Sequence, residues 1–538
     1  MRLNKTFPKH TFLTGLSFRV RRVALDVAGL AAYTFVALSP VLWLAGRAVI
    51  AEGIFSGVLT SRTTALFANS LMLGAVVMVC STLLGLGFAL WMVTHSGWLV
   101  NLARKLYLAP FIIPSYIYAI TWMGLLSRSG VIAPVLEHLF GRSPSSYGFG
   151  GAAAVLSLTF APLVTLFTLY AVEAVEPELV EMAVVLGSAR SAWRQVVLPL
   201  ILPAVGSAAG LVFALTLVEY GVPALLQYNV YVMEIFAEFS QSGNSLRAMA
   251  FAFPVLVLAL LLVTGSQWLL RRTPMVSRPG GSQPLRSLSL SRLGVGMIGL
   301  GALLVAAGIL LPVWMLLSQA GNPQSVLTTL NHARQDLFTS LLLAVSAALG
   351  AVGLAFIPAR LAARVRSGGL WAVLLLPLAV PAPLLGIGLI ELANWLPERG
   401  AAINAGMLWA AHVGRFMPLA LVALALHFRR VDPLLLEMAR LHPVGWLKRL
   451  WQVDLPLLSG GIGAALVVVF ILSLGELGAT ILVIPPGLGT AALRLFNLLH
   501  HGSTQGTAEL ALCMLGIVLG VGGVGVWLQE RYDRHPAS

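Results

Sequence analysis

Val175 to Ala183 reads V-E-P-E-L-V-E-M-A, and 256 positions later Val431 to Ala439 reads V-D-P-L-L-L-E-M-A. The same displacement carries Pro162 onto Pro418, and one of 257 carries Leu198-Pro199 onto Leu455-Pro456, Glu219 onto Glu476 and Gly221 onto Gly478. Apolar letters coincide easily in an apolar chain. Acids, prolines and glycines that recur in one order, with a single slip of one residue, do not. The chain is therefore read as two copies of one unit.

The composition says what kind of unit it is. Of 538 residues, 58% are hydrophobic and only 10% charged, and the mean hydropathy is +0.90. Soluble domains carry about 25% charge, so a water-soluble enzyme is excluded. A membrane-spanning helix needs about 20 mainly apolar residues, because its backbone must satisfy itself across the hydrocarbon. Twelve segments qualify: 24–46, 68–93, 107–126, 149–172, 197–220 and 248–270 in the first half, then 293–317, 338–358, 371–392, 405–427, 457–484 and 508–528. The expected fold is all-α and polytopic, about twelve transmembrane helices in two parallel six-helix repeats. An even number of spans per copy gives both the same orientation, about an axis along the membrane normal. Pro110 and Pro114, and Pro377, Pro381 and Pro383, predict broken third and ninth spans.

The formal charge of +14 reads as topology rather than as nucleic-acid binding. With the N-terminus in the cytoplasm, 25 of the 34 Lys and Arg residues fall on the cytoplasmic side, so both termini are expected there. The first apolar run is long for a cleaved signal and is read as a retained span. Residues 271–292 hold five arginines and no acid, with Pro274, Pro279, Gly280, Gly281 and Pro284. This stretch is a basic cytoplasmic linker between a first transmembrane domain, 1–270, and a second, 293–538. Cys80 and Cys513 lie far apart within apolar stretches and support neither a disulfide framework nor a metal site.

The repeated block belongs to the cytoplasmic loop between the fourth and fifth spans of each copy. As a helix it places Leu179, Met182, Ala183 and Leu186 on one face, with Glu178 and Glu181 elsewhere. Pro177 and Pro433 suit the first turn, where no backbone donor is lost. Helices that lie on lipid favour Lys and Arg on their polar face. Here the polar residues include Glu173, Glu176, Glu178 and Glu181 against Arg190 and Arg194, which favours a protein partner.

These residues resemble the cytoplasmic loop of permease subunits of binding-protein-dependent ABC importers: Glu-Ala-Ala, three residues, Gly, then a short stretch to an apolar Leu-Pro pair. Glu181, Met182, Ala183, Gly187 and Leu198-Pro199 match it with Met in the second place. Glu437, Met438, Ala439 and Leu455-Pro456 match it with Pro443 where Gly belongs and Gly445 two residues later. Either that turn moves to Gly445 or the second loop docks differently. Two such domains fused through a linker look like the ferric-iron-type inner-membrane permeases, with Ile112–Ala119 and Gly475–Gly487 as supporting stretches. The resemblance implies an ATPase-coupling role for both loops, a cytoplasmic ABC ATPase in two copies, and a periplasmic or lipid-anchored solute-binding protein. It also implies a bacterial cytoplasmic (inner) membrane location and alternating-access import of a small solute, ferric iron first. Thiamine, phosphonates and other small solutes are the alternatives.

The sequence itself points to a non-catalytic subunit. A phosphate-binding loop needs Lys directly after Gly, whereas Lys5, Lys9, Lys105 and Lys448 follow Asn, Pro, Arg and Leu. No cofactor is expected on this chain; ATP-Mg belongs to the partner. Glu219 with Gly221, and Glu476 with Gly478, stand at the outer ends of the fifth and eleventh spans as candidates for a gate or vestibule, against simple interfacial solvation. Arg415 and Asp26 are expected near span starts. His500-His501, near Glu509, are adjacent and point apart, so no metal site is expected. An ion-coupled secondary transporter, the rival class, would place several ionisable residues deep within its spans.

Overall fold

The computed structural model describes residues 9–126, 145–272, 306–365, 368–395, 401–431 and 450–534, with isolated positions between them. Every regular element among the described residues is helical. In the first half these are α1 (Lys9–Ile50), α2 (Ser61–Thr94), α3 (Trp98–Leu106), α4 (Ser115–Leu126), α5 (Phe149–Glu173), α6 (Pro177–Leu186), α7 (Leu198–Leu217), α8 (Tyr231–Ser242) and α9 (Ser245–Leu270). The second half continues with α10 (Leu311–Gln319), α11 (Pro323–His332), α12 (Arg334–Arg364), α13 (Gly368–Leu375), α14 (Ala382–Ala393), α15 (Ala401–Arg430), α16 (Leu455–Leu474), α17 (Ala491–His500) and α18 (Thr504–Arg534).

Nine helices among the described residues are long and apolar enough to cross a membrane, or up to 11 if each of two bent pairs is one span. The bends are 101° between Trp98–Phe111 and Ser115–Leu126, and 92° between Gly368–Ala379 and Ala382–Ala393. Both fall at the expected prolines, whose rings clash with the preceding turn and whose nitrogens donate nothing. The seventh expected span is described only from residue 306, and the count of twelve is not reached among the described residues. Phe35, Leu83, Leu261, Phe338 and Leu349 are exposed on the long helices, as a lipid-facing surface requires. All but the first two positions of the linker 271–292 lie outside the described residues.

The duplication extends to fine detail. α7 and α16 each have 20 residues, and each follows a π-helical turn, at Trp193–Val197 and Leu450–Asp454. All these bounds differ by 257. The eleventh span is shorter than expected. Its helix stops at Leu474 because Glu476 turns back and accepts the N–H of Ala479 at 2.8 Å, a side-chain bond that competes with helix propagation. Glu219 likewise accepts from Gly221 and Val222 after α7. The outer helices are also fastened alike. Ser70 Oγ accepts the N–H of Tyr231 at the start of α8, and Ser340 Oγ that of Ala491 at the start of α17, both at 2.8 Å. An ion pair adds to each clamp with opposite sense: Arg62 on α2 meets Glu234 on α8, whereas Asp336 on α12 meets Arg494 on α17.

The first helix of the chain belongs spatially to the other half as well. α1 packs against α12, α14 and α15 in addition to α9. Asp26 pairs with Arg360, the Tyr33 hydroxyl donates to the Leu374 carbonyl, and Arg47 pairs with Glu391. Gly388 permits the contact: a Cβ there would lie 2.7 Å from the Pro40 carbonyl oxygen. In return α10 packs against α4.

Candidate functional site

The repeated loop forms a short helix, α6, that stands out from the bundle. Pro177 begins it and Glu178 lies in its first turn, where a carboxylate complements the positive helix end. Val180 is buried and holds the helix against the turn at Ala189–Ala192 and Trp193. Around it Leu179, Met182, Val184, Val185 and Leu186 are exposed, the last two by 83% and 81%. Glu181 is exposed, Ala183 half-buried and Gly187 exposed. Gly187 ends α6 at φ −150°, so this turn does not need the left-handed conformation that glycine favours. Ser188 then caps the next turn by accepting the N–H of Ser191 at 3.2 Å. In the second copy Glu437, Met438, Ala439, Pro443 and Gly445 lie outside the described residues.

The second candidate is a cavity of about 180 Å³ between the halves. Its walls follow the internal repeat. A displacement of 267, which also carries Pro114 at one bend onto Pro381 at the other, matches Phe111 with Leu378 and Ile113 with Val380. Displacements of 256 or 257 match Phe160 with Phe416, Leu163 with Leu419 and Leu215 with Leu472. The structure brings Glu219 and Glu476 together in this cavity. Gly221 donates to Glu219 at 3.1 Å, and Gly478 packs close to Ala382.

One matched pair breaks the symmetry. Arg415 lines the cavity where the first half has Thr159. Its Nε lies 2.7 Å from Glu476 Oε2, while Glu476 Oε1 is held by Ala479. Glu219 uses Oε1 for Ser115, Gly221 and Val222, and among the described residues it makes no ion pair. Arg415 therefore does not sit at a span start: α15 begins at Ala401, which places Arg415 midway along it. One turn earlier, buried His412 bridges Ser473 Oγ at 2.7 Å and Thr480 Oγ1 at 3.0 Å, tying α15 to both sides of the break after α16. The sequence placed Arg415 near a span start rather than in a cavity, and it did not single out Ser115 or His412. The signal for Arg415 was present, since the 256-residue displacement puts a charge opposite Thr159.

Charges near the ends of the helices are committed to structure. Asp26 is paired with Arg360. Buried Glu509 accepts from Gly321 N, Ser325 Oγ, Thr329 Oγ1 and Gln505 Nε2, which binds α11 to α18. His500 and His501 bond carbonyls of their own helix. No group of three metal-ligating side chains occurs among the described residues.

Comparison with known proteins agrees with this architecture. Residues 81–274, from within α2 to just past α9, match the family described as binding-protein-dependent transport system inner membrane component. A ferric transport system permease protein of Haemophilus influenzae is 28% identical over 31% of this chain, and one of Actinobacillus pleuropneumoniae 25% over 35%. These alignments span 27% and 29% of the ferric relatives' own length. A molybdenum transport system permease protein of Mycobacterium bovis is 32% identical over 30% of this chain and 60% of its own. Residues 81–274 are thus similar to the binding-protein-dependent transport system inner membrane component family, within an all-α chain that carries several helices long and apolar enough to cross a membrane.

Proposed function

We propose that the chain is the transmembrane component of an ATP-driven importer, with domains 1–270 and 293–538 fused through the linker 271–292 and both termini in the cytoplasm. Two cytoplasmic ATPase subunits bind and hydrolyse ATP-Mg. An external binding protein delivers a small solute, ferric iron first, and ATP-driven closure of the motor reorients the two halves about the cavity between them. The chain itself carries no cofactor.

The observation that carries this reading is the exposed face of α6. Val185 and Leu186 stand almost fully open beside Glu181 on a loop helix. An exposed apolar cluster of this kind marks a docking surface, and the acid-rich flanks disfavour lipid. Glu181 and Glu437 are assigned to polar anchoring in the ATPase groove, and Ala183, Ala439 and Gly187 to close approach. Met182 and Met438 present adaptable apolar contacts, and Pro443 and Gly445 shape the second turn. Glu219, Gly221, Glu476 and Gly478 are assigned to the gate of the pathway.

The test is co-purification of an ATPase with the detergent-solubilised chain, followed by reconstitution with a ferric-loaded binding protein. Stimulated ATP hydrolysis is the expected result. Uptake that stops with an uncoupler yet ignores ATP depletion would instead identify an ion-coupled transporter. Phosphonate-, thiamine- or molybdate-loaded proteins, tried in parallel, decide the solute.

A further inference from the structure

We propose that Glu219, assisted by the Ser115 hydroxyl, is the cargo-contacting group of the central cavity and takes a multivalent cation, with Arg415 acting as a built-in counter-ion that discharges Glu476. This assignment rests on the reading of the cavity as the solute pathway and adds the sign of the solute's charge and the residue that meets it.

The argument starts from the matched walls. Two equivalent carboxylates line one cavity, and the sole charged mismatch among the matched pairs is Arg415 against Thr159. Glu476 is spent on both oxygens, one on Arg415 and one on the Ala479 N–H. Glu219 is held through Oε1 by three donors, which fixes its orientation, and Oε2 carries no hydrogen bond among the described residues. With both carboxylates ionised, the one guanidinium leaves the cavity a formal charge of minus one. In a narrow apolar enclosure such a charge acts over a longer range than it would in water.

An oxyanion entering here would meet Glu219 directly and would have to take Arg415 away from Glu476. A hard cation finds an oriented carboxylate oxygen, and Ser115, which lines the same cavity, can offer a hydroxyl lone pair. With no group of three His, Cys, Asp or Glu side chains placed to hold a metal ion among the described residues, and with Glu476 engaged by Arg415, this contact suits passage rather than storage. Arg415 also sets the strength of the contact: without it the second carboxylate would join the first and hold the cation more tightly.

The experiment uses the full chain in phosphatidylcholine nanodiscs, with terbium(III) as a trivalent probe read by luminescence and empty nanodiscs subtracted. Saturable terbium binding is expected, weakened about tenfold or more in Glu219→Gln and strengthened about threefold or more in Arg415→Gln. Molybdate should neither bind nor compete. Absent saturable binding, unchanged affinity in Glu219→Gln, or saturable molybdate binding overturns the proposal. If Arg415→Gln does not fold, Ser115→Ala replaces it, with an expected loss of about twofold or more; unchanged affinity there would also overturn it. ATPase co-purification with the wild-type chain is scored separately, so failure of the permease reading is distinguishable from failure of the cation assignment.

Discussion

Arg415 Nε and Glu476 Oε2 lie 2.7 Å apart, joining the middle of α15 to the chain just beyond the end of α16. The carboxylate is only 5% exposed and the guanidinium 23%. Removing one partner of such a pair strands the other charge, at a cost of about 3–5 kcal/mol. Arg415→Gln should therefore lower the melting temperature in detergent, and Glu476→Gln in that background should restore part of the loss. Additive losses in this double-mutant cycle would show the two side chains to be uncoupled.

The exposed face of α6 gives a prediction of opposite character. Val185→Asp with Leu186→Asp changes side chains that pack against little of the chain itself, so the melting temperature should stay within about 1 °C, consistent with the small effect of surface substitutions. ATPase co-purification should be lost. Glu181→Ala with Glu437→Ala should impair uptake and coupling while membrane insertion stays normal. Full uptake by that pair would remove the two glutamates from the interface.

Glu509 is the hub of a network that a conservative change should partly spare. Glu509→Ala leaves donors from Gly321, Ser325, Thr329 and Gln505 without their acceptor. A buried donor left unsatisfied costs about 1–3 kcal/mol. The expected result is a clear drop in melting temperature, smaller in Glu509→Gln, with increased proteolysis near α11. Equal stability of both variants would show that the hydroxyls find water instead.

The cross-half packing of α1 predicts that the linker is dispensable once the protein has folded. Cleavage at a protease site inserted within 271–292 should leave the fragments associated on a sizing column in mild detergent. Gly388→Val, which drives a side chain into the Pro40 carbonyl, should weaken that association. Fragments that separate in the otherwise unaltered chain would contradict the role given to α1.

Much of this architecture was legible in the sequence because it rests on residues with few alternatives. Pro110, Pro114 and Pro377 announce the bends, and the recurrence of Glu219 as Glu476 announces two structurally equivalent turns. Other features were hidden for physical reasons. Hydropathy runs on through Leu477 to Ile484, so the apolar count overruns the helix end that the Glu476–Ala479 bond imposes. The serine clamps escape a fixed displacement, because Ser70 and Ser340 are 270 apart whereas Tyr231 and Ala491 are 260 apart. Arg415 was placed near a helix end because a charge is costly at mid-membrane, whereas it lies midway along α15 and is paired there with Glu476. Periodicity says that one face of α1 is buried, but it cannot say that α12 and α14 bury it.

The contacts of α1 also bear on how the protein is made. Asp26 and Tyr33 leave the ribosome well before their partners, Arg360 and Leu374, which lie 334 and 341 residues further along. The helix must wait in the bilayer with a carboxylate and a hydroxyl unmatched until more than half of the chain has been translated. A helix made early is thus among the last to find its final neighbours, and an insertase that shelters it during that interval would be a natural determinant of yield.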